Sequence, residues 1–295
     1  MQKTVFHHLT AFMVVAIWGV TFVSTKLLLL NGLSPAHIFT LRFIMAYALL
    51  LVISVTMYRH RWMAKNIKDE LMMVALGVTG GSLYFLAENA AMNYTTTTNT
   101  SLIVCLCPLF ASLLISIFYR TERLRGIQIV GTILAAIGVT FVVLNGRFVL
   151  HLSPKGDALA FVACLCWAVY SLLLIPASKR YDTLFITRKV FAYGLLSILP
   201  YFALYPQMPP TSALLRLDTV LQLLFLGCIA STLCFIAWNW VVRRLGVIIT
   251  TNYVYFNPVV TVVCAWIVLG ERITEWFLLG TALILVGMFL SNKRR

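Results

Sequence analysis

Glu88 is the residue on which chemistry is most readily built. It is a carboxylate inside an apolar run, where a charge costs roughly 2.5–3.5 kcal/mol on insertion scales and so needs a partner or a task. Helical spacing puts it on one face with Gly77, Gly81 and Tyr84, a small-to-large series suited to lining a cavity or to close packing. Lys26 and Arg42 fall near the ends of two other apolar runs, at a similar depth. The expectation is a charge cluster in which Glu88 compensates one or both cations. Such a cluster could hold the carboxylate of a bound solute, exchange a proton, or close an opening. The plain alternatives are that Glu88 meets interfacial water and that the long basic side chains snorkel to the surface.

Aromatic and amide side chains form the second group. Trp18 with Phe22 is matched 149 residues later by Trp167, followed by Tyr170. Asn252, Tyr253 and Asn257 precede Pro258, and Asn99 precedes Pro108. Asn89 follows Glu88, and Trp238 occupies the position equivalent to Glu88 in the second half of the chain. Aromatic walls with a few polar groups describe a small-molecule site; the plain alternative for each residue is ordinary helix packing. Pro108 and Pro258 remove a backbone donor and mark paired kinks that could act as hinges. Arg188 repeats the context of Arg42, F-T-L-R-F-I-M-A-Y against F-I-T-R-K-V-F-A-Y. It is expected either at an opposite gate or as a simple topological anchor.

Other chemistries find no support. The seven cysteines all lie in apolar runs, and the two C-x-C pairs point to different sides of a helix, so buried free thiols are expected and no metal. His7, His8, His37, His60 and His151 show no metal-ligand spacing, and there is no phosphate-binding G-x-x-x-x-G-K-[ST] loop. Neither an enzyme nor a cofactor is called for. The net charge of +14 sits in short gaps between apolar runs, the pattern of a topology signal and not of nucleic-acid binding.

The elements that must position these residues are long and apolar. The chain is 61% hydrophobic and 11% charged, and runs of about 20 apolar residues recur throughout, each enough to cross ~30 Å of hydrocarbon. The runs predict ten transmembrane helices, at about 7–29, 37–57, 70–92, 99–119, 126–144, 156–176, 187–206, 219–241, 248–269 and 275–291. With the N-terminus inside, 17 of the 23 Lys and Arg fall in cytoplasmic gaps. Only Arg147, Lys155, Arg216 and Arg272 fall outside, while Lys26 and Arg42 lie in or near spans. Both termini are therefore expected in the cytoplasm. The segment T-E-R-L-R-G-I-Q-I-V-G-T at 121–132 returns as G-E-R-I-T-E-W-F-L-L-G-T at 270–281, with Gly131/Gly138 matching Gly280/Gly287. Five helices per copy is an odd number, so the copies, 1–148 and 149–295, are expected to be inverted in the membrane.

Taken in order, these motifs resemble the EamA family of the drug/metabolite transporter superfamily. They are W-G-x-x-F-x-x-x-K (Trp18, Gly19, Phe22, Lys26), the early Arg42, Pro108 and Pro258, the E-R pairs at 122–123 and 271–272, and the G-x6-G helices. The resemblance covers essentially the whole chain. It implies an all-α protein of ten helices in a bacterial inner membrane that exports small metabolites such as amino acids. Alternating access between the halves would be driven by the substrate gradient or by protons. Glu88-Asn89 departs from the family pattern. A nucleoside, nucleotide-sugar or drug exporter of the same superfamily is the nearest rival; a membrane enzyme or a receptor without flux is the rival of another class. The oligomeric state stays open.

Overall fold

The computed structural model describes residues 2–57, 62–95, 97–119, 126–144, 153–269 and 274–291. The described residues are helical almost throughout, with no strand. In chain order the helices are α1 (Gln2–Leu30), α2 (Pro35–Met57), α3 (Ile67–Gly77), α4 (Leu83–Tyr94), α5 (Thr97–Val104), α6 (Cys107–Phe118), α7 (Gly126–Leu144), α8 (Pro154–Arg180), α9 (Thr183–Leu204), α10 (Thr211–Leu214), α11 (Leu217–Leu224), α12 (Cys234–Leu245), α13 (Val247–Thr251), α14 (Asn257–Leu269) and α15 (Glu275–Ser291). Seven helical runs are long and apolar enough to cross a membrane; Cys107–Phe118, Gly126–Val142 and Glu275–Ser291 are shorter apolar helices. Helices suit this role because hydrocarbon offers backbone groups no partner outside the segment itself.

Caps explain where the helices depart from the expected boundaries. Ser153 accepts from the Gly156 N–H at 3.3 Å, and Pro154 follows at the first helical position, so α8 begins before the apolar run does. Asp182 accepts from the Phe185 N–H at 2.8 Å, which starts α9 at Thr183 and carries Arg188 and Lys189 inside the helix.

Four breaks in helical regularity matter for the site. α3 and α4 join through a wide turn at Val78–Ser82, where the Leu83 N–H reaches back five residues to the Val78 carbonyl and Gly81 leaves helical geometry (φ −121°, ψ −106°). α11 and α12 join through a second wide turn, Phe225–Leu233, at the equivalent place in the second half. The expected single helix 99–119 is broken: Cys105 and Leu106 form a turn, and Pro108, which has no N–H to donate, sits in the first turn of α6. Its counterpart is the tight 3-10 stretch Asn252–Phe256 ahead of Pro258.

The G-x6-G helices pack on one another. A Cβ at Gly131 would lie 2.4 Å from the Ser291 nitrogen, one at Gly138 2.7 Å from the Gly280 carbonyl, and one at Gly287 2.5 Å from the Ala135 nitrogen. α7 and α15 thus meet backbone to backbone within one chain. The E-R pairs lie outside the described residues. Replacing Gly138 by Ala forces two backbones apart and is expected to cost about 1–3 kcal/mol. Gly126→Ala meets nothing within 4 Å and should be near neutral. Thermal unfolding of the two variants in detergent checks the contrast.

Candidate functional site

The wide turn in the second half places the first functional contact. In a regular helix the Ala230 carbonyl would accept from the Cys234 N–H. Here that N–H is directed to Ile229 and Ser231 instead, and the Trp18 indole N–H donates to the Ala230 carbonyl at 3.0 Å. Trp18 then stands edge-on to Trp167, with ring centres 5.4 Å apart and planes at 88°, and packs on Trp238 at 4.9 Å and Phe235 at 5.5 Å. Tyr84 closes on Trp167 at 5.2 Å.

These rings enclose about 450 Å³ of space between α1, α2, α4, α6, α8, α12 and α14. Of the expected site residues, Trp18, Phe22, Tyr84, Glu88, Trp167, Asn257 and Arg42 line it. Glu88 is buried, and the Tyr84 hydroxyl one turn away donates to its carboxylate at 2.7 Å. Interfacial water is therefore not what satisfies it. Arg42 is 2% exposed; its Nε donates to the Ser231 hydroxyl at 3.0 Å, and its guanidinium lies 4.4 Å from the centre of the Phe85 ring. Arg42 and Glu88 share the cavity wall but make no N···O contact within 4.0 Å. Two buried polar atoms of the lining, Trp167 Nε1 and Asn257 Oδ1, have no hydrogen-bond partner. The cavity thus offers a cation, a carboxylate, a spare donor and a spare acceptor between aromatic walls.

Other expected residues fall elsewhere. The Lys26 ammonium donates to the Met92 carbonyl at 2.8 Å, one turn beyond Glu88, and not to Glu88. Trp238 backs the cavity without lining it. The Tyr170 hydroxyl donates to Asn239 at 2.9 Å, and the Asn239 amide donates to Thr187 at 2.9 Å, a buried bridge that sequence reasoning missed. Asn89 turns from the cavity to the Pro35 carbonyl, 3.4 Å away. Tyr253 pairs with His8 at 2.6 Å, and Asn252 is buried outside the lining. The Asn99 side chain lies outside the described residues.

Arg188 is buried against Trp62, 4.7 Å from the ring centre, beside a charged cluster that the sequence pattern did not disclose. There Asp69 accepts from Arg180 and, at 2.8 Å, from the Tyr181 hydroxyl. Glu70 accepts from Lys189, Tyr193 and the Ala64 N–H. Phe85, Phe235, Thr21, Val104, Cys107 and Val254 complete the cavity lining. The available signal for the two Phe residues was the run of small residues before each, which admits a wide turn and shifts the helix phase.

The comparisons with known proteins agree with this architecture. The family model described as the EamA-like transporter family matches twice, over residues 5–144 and 154–293. A protein of Streptantibioticus cattleyicolor named "Probable terminal-alkyne amino-acid exporter" is 30% identical over 76% of this chain and 74% of its own length. An Escherichia coli protein named "Probable amino-acid metabolite efflux pump" is 24% identical over 95% of this chain and 93% of its own. One solved crystal structure superposes with a TM-score of 0.72 at 18% identity, covering 98% of this chain and 96% of that one, and so shares its fold. A twice-matched transporter family and repeated membrane-length apolar helices describe a multi-pass membrane protein whose business is transport: the chain belongs to the EamA-like transporter family.

Proposed function

We propose that the chain is a secondary exporter of small organic metabolites, with α-amino acids as the first class. It would work by alternating access between two inverted five-helix halves, residues 1–148 and 149–295. The seven long helical runs and the three shorter apolar helices supply ten crossings. In this reading both termini are cytoplasmic, which the charge bias supports, and the membrane is the bacterial inner membrane. The two stretches matched by the family model, and relatives named as amino-acid exporters, support this reading.

One observation carries the substrate class: Arg42 and Glu88 are buried in one cavity wall without touching each other. A zwitterion completes such a pair, its carboxylate toward Arg42 and the Trp167 indole N–H, its ammonium toward Glu88 and the Asn257 carbonyl oxygen. The aromatic walls take its side chain. Each charge-assisted hydrogen bond is worth roughly 1.5–3 kcal/mol, or about 10- to 100-fold in affinity. Glu88 is also the titratable group through which protons would couple to transport.

Alternating access follows from the inequality of the two tryptophans. Trp18 is tied to the Ala230 carbonyl, whereas its equivalent Trp167 makes no such bond to the first half's wide turn. In the opposite-facing state the roles of the halves exchange. Trp167 then takes the Gly80 carbonyl and Trp18 is released.

Counterflow in proteoliposomes should detect amino acids and should weaken at least tenfold in Arg42→Gln and in Glu88→Gln. A primary amine lacking the carboxylate should be indifferent to the Arg42 change. Absence of flux for every amino acid and nucleoside offered refutes the transport reading, and flux indifferent to both variants refutes the zwitterion site. Trp18→Phe and Trp167→Phe should shift the labelling of a Thr21→Cys reporter by an impermeant thiol reagent in opposite directions. Removing one hydrogen bond of about 1 kcal/mol changes a two-state population roughly fivefold. Shifts in the same direction contradict the exchange.

A further inference from the structure

A second recess, open on one side and about 770 Å³ including its mouth, lies between α6, α8, α12 and α13. Its place relative to the first is regular. On α6 the lining moves from Cys107 to Ile115, on α8 from Trp167 to Ile175, and on α12 from Phe235 to Val242. On the antiparallel fourth wall it moves from Val254 to Val247. Each step is seven or eight residues, about 10–12 Å of helix. The two spaces are thus stacked along the same four walls. Tyr170 and Trp238, both essentially fully buried, occupy the intervening turns.

The deep walls of the second space, Ile115, Ile175, Val242 and Val247, are buried in the bundle and do not lie on its lipid-facing surface. Its mouth carries the exposed cations Lys179 and Arg243, and no carboxylate belongs to its described lining. Gly246 shapes the mouth: its φ of +88° suits glycine, and it turns the chain directly from α12 into α13.

We propose that this space is a cytoplasmic loading site for solutes bearing a carboxylate. Lys179 and Arg243 draw the anionic end from the cytoplasm, and the apolar walls hold the remainder until the aromatic plug opens toward Arg42 and Glu88. The proposal rests on the exporter reading for its direction. A recess with walls of low dielectric focuses the field of its charges and raises the local concentration of a counter-ion about tenfold or more. The same two residues have no image at the other end of the bundle. At the offsets that pair Trp18 with Trp167 (149) and Glu88 with Trp238 (150), their equivalents are Leu30 and Asn93, both uncharged. Loading is therefore one-sided, as export requires.

The first test works whatever the substrate is. In inverted vesicles, Ser178→Cys on the recess wall should react faster with anionic sulfonatoethyl methanethiosulfonate than with the cationic trimethylammonioethyl reagent. Adding Lys179→Gln and Arg243→Gln should abolish that preference, a change of about tenfold in the rate ratio. Unmodified chain gives the background from the native cysteines. In vesicles of neutral lipid that transport an amino acid, the same double change should raise KM from the cytoplasmic face about tenfold and leave KM from the opposite face unaltered. Equal reagent rates before the double change, or equal KM shifts at both faces, overturn the loading site. A KM effect confined to vesicles containing anionic lipid overturns it in favour of a lipid headgroup site. If the reagent preference holds while no amino acid moves, the substrate reading fails and the anion-collecting recess stands.

Discussion

Backbone hydrogen bonding in an apolar medium is the constraint on which the rest depends. A helix in hydrocarbon satisfies its own donors and acceptors, and any lapse must be met by a neighbour. The chain lapses at two wide turns and at two breaks before proline. Side chains take up carbonyls at the second wide turn and at the break before Pro258. Trp18 reaches Ala230, Thr232 bonds Gly227 five residues back, and the Cys105 thiol donates to the Val254 carbonyl at 3.5 Å. Cys105 lies in the break before Pro108 and Val254 in the break before Pro258, so the two breaks face one another directly. The cavity exists because the lapses converge there. Regular helices would present no free carbonyl to Trp18 and would turn Phe85 and Phe235 elsewhere.

On this paired framework the chemistry is unpaired. Glu88 has Trp238 as its equivalent, and Tyr84 has Cys234. Arg42 has Arg188, but the latter stacks on Trp62 outside the cavity lining. The symmetric positions build the frame, and the asymmetric ones carry the charge. Burying Arg42 and Glu88 is tolerable because each keeps a hydrogen bond, from Arg42 to Ser231 and from Tyr84 to Glu88, and because a ring covers the guanidinium face.

Much of this was legible in the sequence for identifiable reasons. The helices follow from apolar run length, and the Glu88–Tyr84 bond from i,i+4 spacing on one face. The glycine contact between α7 and α15 was readable as close packing, within a repeat or between protomers, but not as a contact between the two repeats. What escaped depended on local changes of helical period. A wide turn inserts one residue and rotates the following face by about 100°, which is why Phe85 and Phe235 joined the site unforeseen. The 3-10 stretch Asn252–Phe256 turns about 20° more per residue than an α-helix, and Tyr253 consequently meets His8 instead of the cavity. The Asp69–Glu70 cluster escaped because its partners, Arg180 and Lys189, lie more than 110 residues away. No local pattern links them.

The two ends of the bundle show how one geometry takes on different chemistry. Asn31, at the end of α1, donates to Asp218 and Thr219 at 3.0 Å each. With the offsets that pair Trp18 with Trp167 (149) and Glu88 with Trp238 (150), Asn31 and Thr219 correspond to Arg180 and Asp69, and Arg180 binds Asp69. The equivalent contact therefore closes both ends. At one end Asn31 and Arg216 meet an exposed carboxylate whose side chain is 52% exposed, and an exposed ion pair of this kind contributes about 1 kcal/mol or less. At the other it is a buried carboxylate pair met by Arg180, Lys189, Tyr181 and Tyr193. Loss of one partner of such a pair typically costs about 3–5 kcal/mol. The difference follows from topology. In the proposed orientation the charged end is cytoplasmic, where Lys and Arg accumulate, so carboxylates placed there find cations within reach. The outer end, poorer in Lys and Arg, meets Asp218 with Asn31 and the exposed Arg216, which pairs with it at 3.0 Å. In that proposed orientation, the residues that would set the chain's direction in the membrane are also those that close this end of the bundle.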